Sequence, residues 1–571
     1  MKPITILAAI MVALECAGQG CATPDSFQDG VEAFNEKNYA KAIDHFTQAM
    51  DDFPNNFALY LWRAQAYLAA EDFDKANDDY AEAISLNPQD PDGYIGRGTT
   101  YLWKKDYKKA LADYSKAIEC DSNNSGAYDG RGSAYLWLKE YDKALVDFDK
   151  AISLDASNWD AFEGRGCAYE YKREYQKALA DYSKAIELNP KSPRSYFGRA
   201  ACYAFTKEYD KSLADCSKAI ELDPKNSDAY IARGDSYLWK GEIDKARADF
   251  SKAMELNPKS ASAYTRRARI SVWQGNHDQA LADIAKALEI DPKSSDAYVG
   301  RGVCHLQRKD FAKAIADLSK AIELDAPYNA QIYLARSSAY FFQKDFEKSL
   351  ADCTKAIEMD PKNPKIYIDR GRTYLWKKQF QQAADDFSKA IELSPQNAAY
   401  HNDRADAFYH AEKYEKALAD YTRATQLDPE NLEGHLGQGT IYWRKGLAEK
   451  ALEEFKAALK LDSKDENALS GMAFFLASCS EAKFRDGKKA LEFATQACEK
   501  TNWDENANFE ALAAAHAELG HFDEALKWQN KALTVSWFSD KALERAKQRL
   551  KLYQEKKPYR EGTPPAGVQK E

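Results

Sequence analysis

Residues 91–124 read PDGYIGRGTTYLWKKDYKKALADYSKAIECDSNN, and residues 125–158 read SGAYDGRGSAYLWLKEYDKALVDFDKAISLDASN. Aligned with Pro91 and Ser125 as position 1, both stretches have a small or aromatic residue at positions 4, 8, 11, 20, 24 and 27. Because an α-helix turns once in about 3.6 residues, positions 4, 8 and 11 share one helix face, and positions 20, 24 and 27 share a face of a second helix. The pattern therefore predicts a helical hairpin that repeats every 34 residues.

The same pattern returns along most of the chain. Small residues at positions 8 and 20, such as Gly166 and Ala178, let the two helices approach closely. Pro at position 32, as at Pro190, ends the second helix because it cannot continue the hydrogen-bond ladder. A single hairpin cannot bury its apolar face, so neighbouring hairpins must stack. The predicted repeats start at Thr23, Phe57, Pro91, Ser125, Trp159, Pro193, Ser227, Ala261, Ser295, Ala330, Pro364, Ala398 and Leu432.

The repeat resembles a known family. Repeat seven shows the characteristic residues Tyr230, Gly234, Tyr237, Ala246, Phe250, Ala253 and Pro258. This pattern is similar to the tetratricopeptide repeat. The resemblance implies an all-α fold, a right-handed superhelical solenoid of stacked helix-turn-helix hairpins. It also implies that positions 2, 5, 9, 12 and 13 of each first helix line a concave groove.

The register divides the chain into five parts. We expect an export signal over 1–22, thirteen repeats over 23–465, two divergent hairpins over 466–535, a capping helix over 536–556 and a disordered tail over 557–571. One residue is inserted near Ala326, Pro327 and Tyr328, where a loop between repeats accommodates it at least cost. The first divergent hairpin has a longer loop, from Ser478 to Gly487. After the second, Lys541 to Gln554 is expected to cap the open end of the core.

The N-terminus has the order of an export signal. Lys2 is followed by an apolar run from Ile4 to Leu14 and then by small residues. The run is too short to span a bilayer as a permanent helix. Gly20-Cys21-Ala22 fits cleavage after Ala22, whereas cleavage before Cys21 would leave that residue as a lipid anchor. We expect a periplasmic or extracellular protein that contacts a membrane only through the signal or a lipid at Cys21; a cytoplasmic protein is the alternative.

The C-terminal stretch adds a second resemblance. Arg485-Asp486-Gly487-Lys488-Lys489-Ala490, then Ala497-Cys498, then the tail Lys557-Pro558-Tyr559-Arg560-Glu561 are similar to the C-terminal module of exported bacterial tetratricopeptide proteins. The resemblance implies a bacterial envelope or secreted protein and names no partner.

Composition and motifs exclude several function classes. The net charge of -10 opposes a nucleic-acid partner, which requires a basic face. The chain lacks phosphate-binding loops, zinc-protease motifs and nucleophile elbows. His401, His410 and His435 are too scattered to predict a metal site. We therefore expect no enzyme activity, no cofactor and no metal.

The ten cysteines do not form a disulfide framework in this register. Cys216 and Cys353 occupy position 24, where other repeats have a core aromatic residue. Cys479 and Cys498 end the two helices of one antiparallel hairpin, which places them about a helix length apart. We expect free thiols.

Two charged positions recur together. Position 7 is Arg and position 23 is Asp in eleven consecutive repeats, and in an antiparallel hairpin these positions face each other. We expect an ion pair that stabilises each repeat and fixes its register, rather than a charged ladder that binds a ligand. The pairs are Arg63 and Asp79, Arg97 and Asp113, Arg131 and Asp147, Arg165 and Asp181, Arg199 and Asp215, Arg233 and Asp249, Arg267 and Asp283, Arg301 and Asp317, Arg336 and Asp352, Arg370 and Asp386, and Arg404 and Asp420.

Position 13 is the candidate binding position. From repeat three to repeat eleven it is aromatic except at Gln307. If these rings line the groove that the resemblance implies, they are suited to bind a peptide or a sugar; the alternative is that they pack between adjacent first helices. The candidate groove residues are Trp103, Trp137, Tyr171, Phe205, Trp239, Trp273, Phe342 and Trp376.

The expected function is a non-enzymatic scaffold that binds a peptide or protein partner in the groove. An envelope polymer or glycan is the alternative ligand, because aromatic rings also suit sugars. The chaperone-binding subfamily has Lys and Asn at positions 5 and 9, whereas this chain has Ile95 and Thr99 in repeat three and Asp129 and Ser133 in repeat four. The sequence therefore disfavours a chaperone adaptor.

Overall fold

The structure, a computed structural model, describes residues 25–324, 330–503, 506–535 and 540–561. In these ranges it consists of α-helices joined by short turns, with one short 3₁₀ helix and one isolated bridge between Cys479 and Glu561. It divides into two compact units, residues 1–270 and 271–571. The predicted all-α class, with consecutive helices paired into hairpins, is confirmed.

The first unit holds seven complete hairpins among its described residues. Within each hairpin the two helices pack against each other, and each second helix also packs on the first helix of the next hairpin. The helices are α1 Asp25–Asn35, α2 Tyr39–Asp52, α3 Phe57–Ala69, α4 Phe73–Leu86, α5 Pro91–Trp103, α6 Tyr107–Cys120, α7 Ser125–Trp137, α8 Tyr141–Leu154, α9 Trp159–Tyr171, α10 Tyr175–Leu188, α11 Pro193–Phe205, α12 Tyr209–Leu222, α13 Ser227–Trp239 and α14 Ile243–Leu256. The division between the units falls within α15, Ala261–Trp273.

The second unit continues the same arrangement. Its helices are α16 His277–Ile290, α17 Ser295–Gln307, α18 Phe311–Leu324, α19 Ala330–Phe342, α20 Phe346–Met359, α21 Pro364–Trp376, α22 Phe380–Leu393, α23 Ala398–His410, α24 Tyr414–Leu427, α25 Leu432–Arg444, α26 Ala448–Leu461, α27 Glu466–Ser478, α28 Gly487–Lys500, α29 Asn506–Glu518, α30 Phe522–Val535 and α31 Asp540–Gln554. A 3₁₀ helix, Ala482–Phe484, lies in the long loop expected after Ser478. The inserted residue near Pro327 lies outside the described residues, and so does the whole of the predicted signal, residues 1–22.

Local sequence explains where the helices begin and turn. Asn124 precedes α7, and its side chain accepts a hydrogen bond from the backbone N–H of Ala127, which satisfies a donor left free at the helix start. At position 15, between the two helices, the chain turns through the left-handed region, as at Lys105 with φ 62° and Gly241 with φ 77°. Tight two-helix turns of this kind place each first helix antiparallel to its partner.

In most repeats one buried ring at position 24 fills the space between helices. Tyr114, at position 24, is 2% exposed. Gly98 of its own repeat and Gly130 of the next repeat lie against it: a Cβ atom added at Gly130 would lie 2.2 Å from the ring, and one added at Gly98 would lie 3.2 Å from it. The two glycines therefore let the first helices of consecutive repeats approach the same ring, and position 6, the position of Gly130, has a packing role that the sequence pattern did not reveal.

Replacing Gly130 by Ala is expected to lower the free energy of unfolding by about 1 to 3 kcal/mol, because the new methyl group would overlap the Tyr114 ring. Gly126 lies in the same helix, is exposed, and meets only the Asn124 side chain, at 3.3 Å. Gly126→Ala should therefore change stability by no more than about 1 kcal/mol, in either direction. Urea unfolding of the two variants tests this; equal destabilisation by both would show that the ring contact has no such effect.

The C-terminal segment differs from the prediction. The tail was expected to be disordered from residue 557, but Glu561 donates its backbone N–H to the Ser478 carbonyl at 2.9 Å, and Arg560 pairs with Glu518 at 2.6 Å. Helix α31 also does more than cap the end of the core. Its first residue, Asp540, pairs with Lys378 of repeat eleven at 3.0 Å. Charged side chains along this segment thus hold it against earlier repeats.

Candidate functional site

The Arg and Asp side chains at positions 7 and 23 meet within each repeat. In repeat seven, Arg233 Nε donates to Asp249 Oδ2 at 2.8 Å and Arg233 Nη2 donates to Asp249 Oδ1 at 2.8 Å. The same two-point geometry holds in ten of the eleven expected pairs, with distances from 2.6 to 2.9 Å. Arg267 and Asp283, the eleventh expected pair, belong to different units. Each of the ten Asp residues is buried.

The same arginines also reach the preceding repeat. Arg199 Nη1 donates to the Ser183 hydroxyl at 3.1 Å, and Arg165 Nη1 donates to Asp149 at 2.7 Å. Both partners occupy position 25 of the repeat before. The ring at position 4 covers the guanidinium, as Tyr230 does over Arg233 at 5.5 Å. These contacts engage the arginine side chains within the repeat array and support a structural role for the ion pairs.

The rings at position 13 are exposed. The exposed fraction of the eight predicted residues runs from 48% at Trp376 to 72% at Trp239. Each is the last residue of its first helix. Consecutive first helices contact each other, as α5 does α7 and α7 does α9, so these residues follow one another along each unit. We call this set the aromatic row; it holds Trp103, Trp137, Tyr171, Phe205 and Trp239 in the first unit and Trp273, Phe342 and Trp376 in the second.

Most rings of the row also stack on the preceding repeat. The Trp137 ring lies parallel to Tyr107, with centroids 6.1 Å apart and an interplanar angle of 5°. The partner ring, Tyr107, lies at position 17, which is the first residue of the second helix in the preceding repeat. One part of each of these stacked rings therefore packs on the preceding second helix, rather than between first helices, and about half or more of the side chain stays exposed. Further stacked pairs are Tyr141 and Tyr171, Tyr175 and Phe205, Tyr209 and Trp239, and Phe311 and Phe342.

Position 17 was missed by the sequence analysis although its signal was present. It is Tyr or Phe in repeats three to six and nine to twelve. In repeat twelve His410 takes the place of an aromatic residue at position 13 and stacks on Phe380 with centroids 5.8 Å apart. The paired rings of positions 13 and 17 therefore form a wider aromatic surface than position 13 alone.

A cavity of about 560 Å³ opens beside the row in the first unit. Trp137 and Tyr171 line it together with Glu163, Glu170 and Arg194. Burial raises the pKa of the Glu170 carboxyl, although the Tyr182 hydroxyl donates a hydrogen bond to it at 2.8 Å. The cavity, called the recess below, therefore combines two exposed rings of the row with two carboxylates.

The carboxylates around this recess are crowded. Burial, together with the nearby charges of Asp160 and Glu163, raises the pKa of Asp129 to about 7. Glu163 is buried and accepts hydrogen bonds from the hydroxyls of Ser192 and Ser195, while Arg194 lies 3.4 Å from its second oxygen. The local field is therefore negative, even though one arginine lies at its edge.

Other sequence expectations concern thiols, metals and membranes. The eight described cysteines are free thiols, and Cys216 and Cys353 are buried as expected at position 24. Among the described residues, no group of His, Cys, Asp and Glu has the arrangement of a metal site. In the same ranges no helix has the length and apolarity needed to cross a bilayer. His401 and His435 hydrogen-bond to Asp420 and Glu454, within the array.

Several solved structures are similar to parts of this chain. The APC/C hetero-tetramer Cut9–Hcn1 matches with a TM-score of 0.47 and 16% identity over 79% of this chain and 95% of that chain. A tetratricopeptide repeat protein from Parabacteroides merdae matches with a TM-score of 0.35 and 24% identity over 43% of this chain and 98% of that chain. YrrB, described as a TPR protein with an unusual peptide-binding site, matches with a TM-score of 0.27 and 29% identity over 32% and 95%. No curated protein was found to match the chain.

Family models agree with the repeat register. Models described as tetratricopeptide repeat match residues 33–94, 91–124, 125–158, 159–192, 193–226, 231–295, 272–329, 330–363, 368–431 and 402–466. Several of these matches begin at repeat starts derived from the sequence, such as Pro91, Ser125 and Trp159. The paired helices, the recurring core ring and these matches lead to one conclusion: the chain belongs to the tetratricopeptide repeat family.

Proposed function

We propose that this protein is a non-enzymatic scaffold that binds a peptide or protein segment along its aromatic row. Proteins of the tetratricopeptide repeat family generally act as scaffolds for protein–protein interaction. The observation that carries the proposal is the exposure of eight large aromatic side chains, each between 48% and 72%, at one repeat position. Exposed apolar surface of this extent on consecutive repeats is typical of an interaction site.

Packing alone does not require such large rings at position 13. The core residue of each repeat lies at position 24, and where it is a ring it is nearly inaccessible, as Phe250 is. The stacked contact with position 17 contributes about 0.5 to 1.5 kcal/mol per pair, and a Tyr or Phe makes that contact as well as a Trp does. Five of the eight residues in the row are nevertheless Trp. Trp and Tyr are the residues that most often dominate binding energy at protein interfaces.

The location of the protein is part of the proposal. The basic, apolar and small-residue series before Thr23 supports export, and the resemblance of the C-terminal stretch to exported bacterial proteins points the same way. We propose that the scaffold works in the periplasm or outside the cell, held at a membrane only if Cys21 carries a lipid. Fractionation of cells that produce the full chain, with mass spectrometry of its N-terminus, tests both points.

The test of the binding function is a selection of random peptides displayed on phage against the full chain. We expect peptides to be enriched and to lose binding when rings of the row are replaced by Ala. An envelope polymer is the rival ligand, and co-sedimentation of the chain with isolated cell-wall polysaccharide measures it directly. Enrichment of no peptide together with co-sedimentation would overturn the proposal in favour of a glycan-binding protein.

A further inference from the structure

Repeat five departs from its neighbours at position 12. This position directly precedes the aromatic row in the first helix and is apolar in the other repeats from three to thirteen. Repeat five has Glu170 instead. A carboxylate at an otherwise apolar position costs stability unless its charge has a use, because burial disfavours the ionised form. The residues at position 12 in the other repeats from three to thirteen are Leu102, Leu136, Ala204, Leu238, Val272, Leu306, Phe341, Leu375, Tyr409 and Trp443.

Glu170 has one hydrogen-bond partner and no cation. The hydroxyl of Tyr182, whose ring is 2% exposed, donates to its Oε2 atom at 2.8 Å. No Lys, Arg or His of the described residues lies within ion-pair distance of it, and burial raises its pKa. The hydrogen bond from the buried tyrosine fixes the position of the carboxylate. No ion pair within the described residues neutralises its negative charge.

The carboxylate of Glu170 faces the cavity of about 560 Å³ beside the row. This volume lies in the range of about 300 to 1,000 Å³ that is typical of ligand sites. Two rings of the row, Trp137 and Tyr171, form part of its wall and are exposed. Arg194 and Lys139 also line it. The Arg194 guanidinium lies beside Glu163 at 3.4 Å, and neither cation forms an ion pair with Glu170. The cavity therefore offers aromatic surface and a carboxylate, Glu170, that has no ion-pair partner.

These features favour a positively charged group in the ligand. An ammonium or guanidinium group is attracted both by a carboxylate and by the face of an aromatic ring. We propose that this cavity binds a Lys or Arg side chain of the peptide partner, with Glu170 as its counter-ion and Trp137 and Tyr171 beside its aliphatic stem. The inference rests on the proposed function, because it assigns the charge of a side chain in a partner bound along the row.

The second unit has a related arrangement, in which the carboxylate lies at position 9 instead of position 12. In repeat twelve the Tyr421 hydroxyl donates to Asp406, and burial raises the pKa of that carboxyl to about 7. Asp406 lines a cavity of about 410 Å³ together with Tyr409, His410 and Glu433. A buried tyrosine, an unpaired carboxylate and rings thus occur together at two separate places in the array, which argues that the combination is not a chance feature of one repeat.

The experiment uses peptides selected by the full chain. We expect the enriched sequences to carry Arg or Lys, and Glu170→Gln to weaken the binding of such a peptide at least tenfold. Gln keeps an acceptor for Tyr182, so the variant removes the charge with little change in shape. Glu187→Gln is the matched control, because Glu187 is exposed at the end of α10 and pairs only with Lys184. Replacing the basic residue of the peptide by Gln should have the same effect as Glu170→Gln, and the two changes together should add little.

Other outcomes separate the two claims. Selected peptides that need Trp137 but carry no basic residue, or that bind wild type and Glu170→Gln equally, would overturn the cation site and leave the scaffold in place. Enrichment of acidic peptides would also overturn it and would point to the lysines of the inter-helix turns. Absence of any peptide that binds the row would overturn both claims.

Discussion

Replacing Asp249 by Ala is expected to lower the free energy of unfolding by about 3 to 5 kcal/mol. Asp249 is buried, and it accepts two hydrogen bonds from Arg233, whose side chain is 21% exposed. Removal of the carboxylate would leave a largely desolvated guanidinium without its partner, which costs more than the pair gains by forming. Urea unfolding of the full chain measures the change, and hydrogen exchange of α13 and α14 shows whether the loss is local.

Two further variants test whether the loss of stability comes from the ion pair itself. Asp244 lies in the same helix, is nearly fully exposed and is 3.8 Å from Arg247, so Asp244→Ala should have almost no effect on stability. Arg233→Met combined with Asp249→Ala should recover much of the loss, because no charge is then left unpaired. If Asp249→Ala were as harmless as Asp244→Ala, the ion pair would not stabilise the repeat.

Replacing Trp103 and Trp137 together by Ala is expected to reduce affinity for a selected peptide by about a hundredfold or more. Aromatic residues that dominate an interface contribute about 2 kcal/mol each. Because Trp103 is 61% exposed and Trp137 is 55% exposed, little core packing should be lost and the variant should stay folded. Fluorescence anisotropy of a labelled peptide gives the affinity, and circular dichroism gives the helical content.

The control for this variant is an exposed apolar residue away from the row. Val146 lies in the second helix α8 and is 67% exposed, so Val146→Ser removes exposed apolar surface without touching position 13. Its affinity should equal that of the wild type. Strong unfolding of the double tryptophan variant, with normal binding by the fraction that remains folded, would instead assign these rings to inter-repeat packing.

The sequence predicted the repeat because its physical causes are local. A period of 34 residues with small residues at positions 8 and 20 requires two helices in close contact, and helices of 13 and 14 residues occur where the pattern places them. The facing of positions 7 and 23 also follows from antiparallel hairpin geometry. Arg97 and Asp113 accordingly form two hydrogen bonds, each of 2.8 Å.

The interactions between repeats could not be predicted from the sequence in the same way. The stacking of Trp137 on Tyr107 joins residues of different repeats, and its geometry depends on how one hairpin sits on the next. Glu170 was visible as an exception at position 12, but only the fold shows that Tyr182 holds it and that Trp137 lies beside it. The contacts of Arg560 and Glu561 likewise depend on groups more than 40 residues away in the sequence, the Glu518 carboxylate and the Ser478 backbone carbonyl.

Fluorine NMR of the full chain labelled with 5-fluorotryptophan shows most directly whether the aromatic row is the binding surface. Five tryptophans belong to the row, whereas Trp62 and Trp443 are buried in the core. The tryptophan signals are assigned by single substitutions. On addition of a selected peptide, we expect shifts among the signals of the row, which are those of Trp103, Trp137, Trp239, Trp273 and Trp376. The signals of Trp62 and Trp443 should not shift. Saturable binding of the peptide with no shift of any row signal would contradict the proposal and would place the binding site elsewhere on the array.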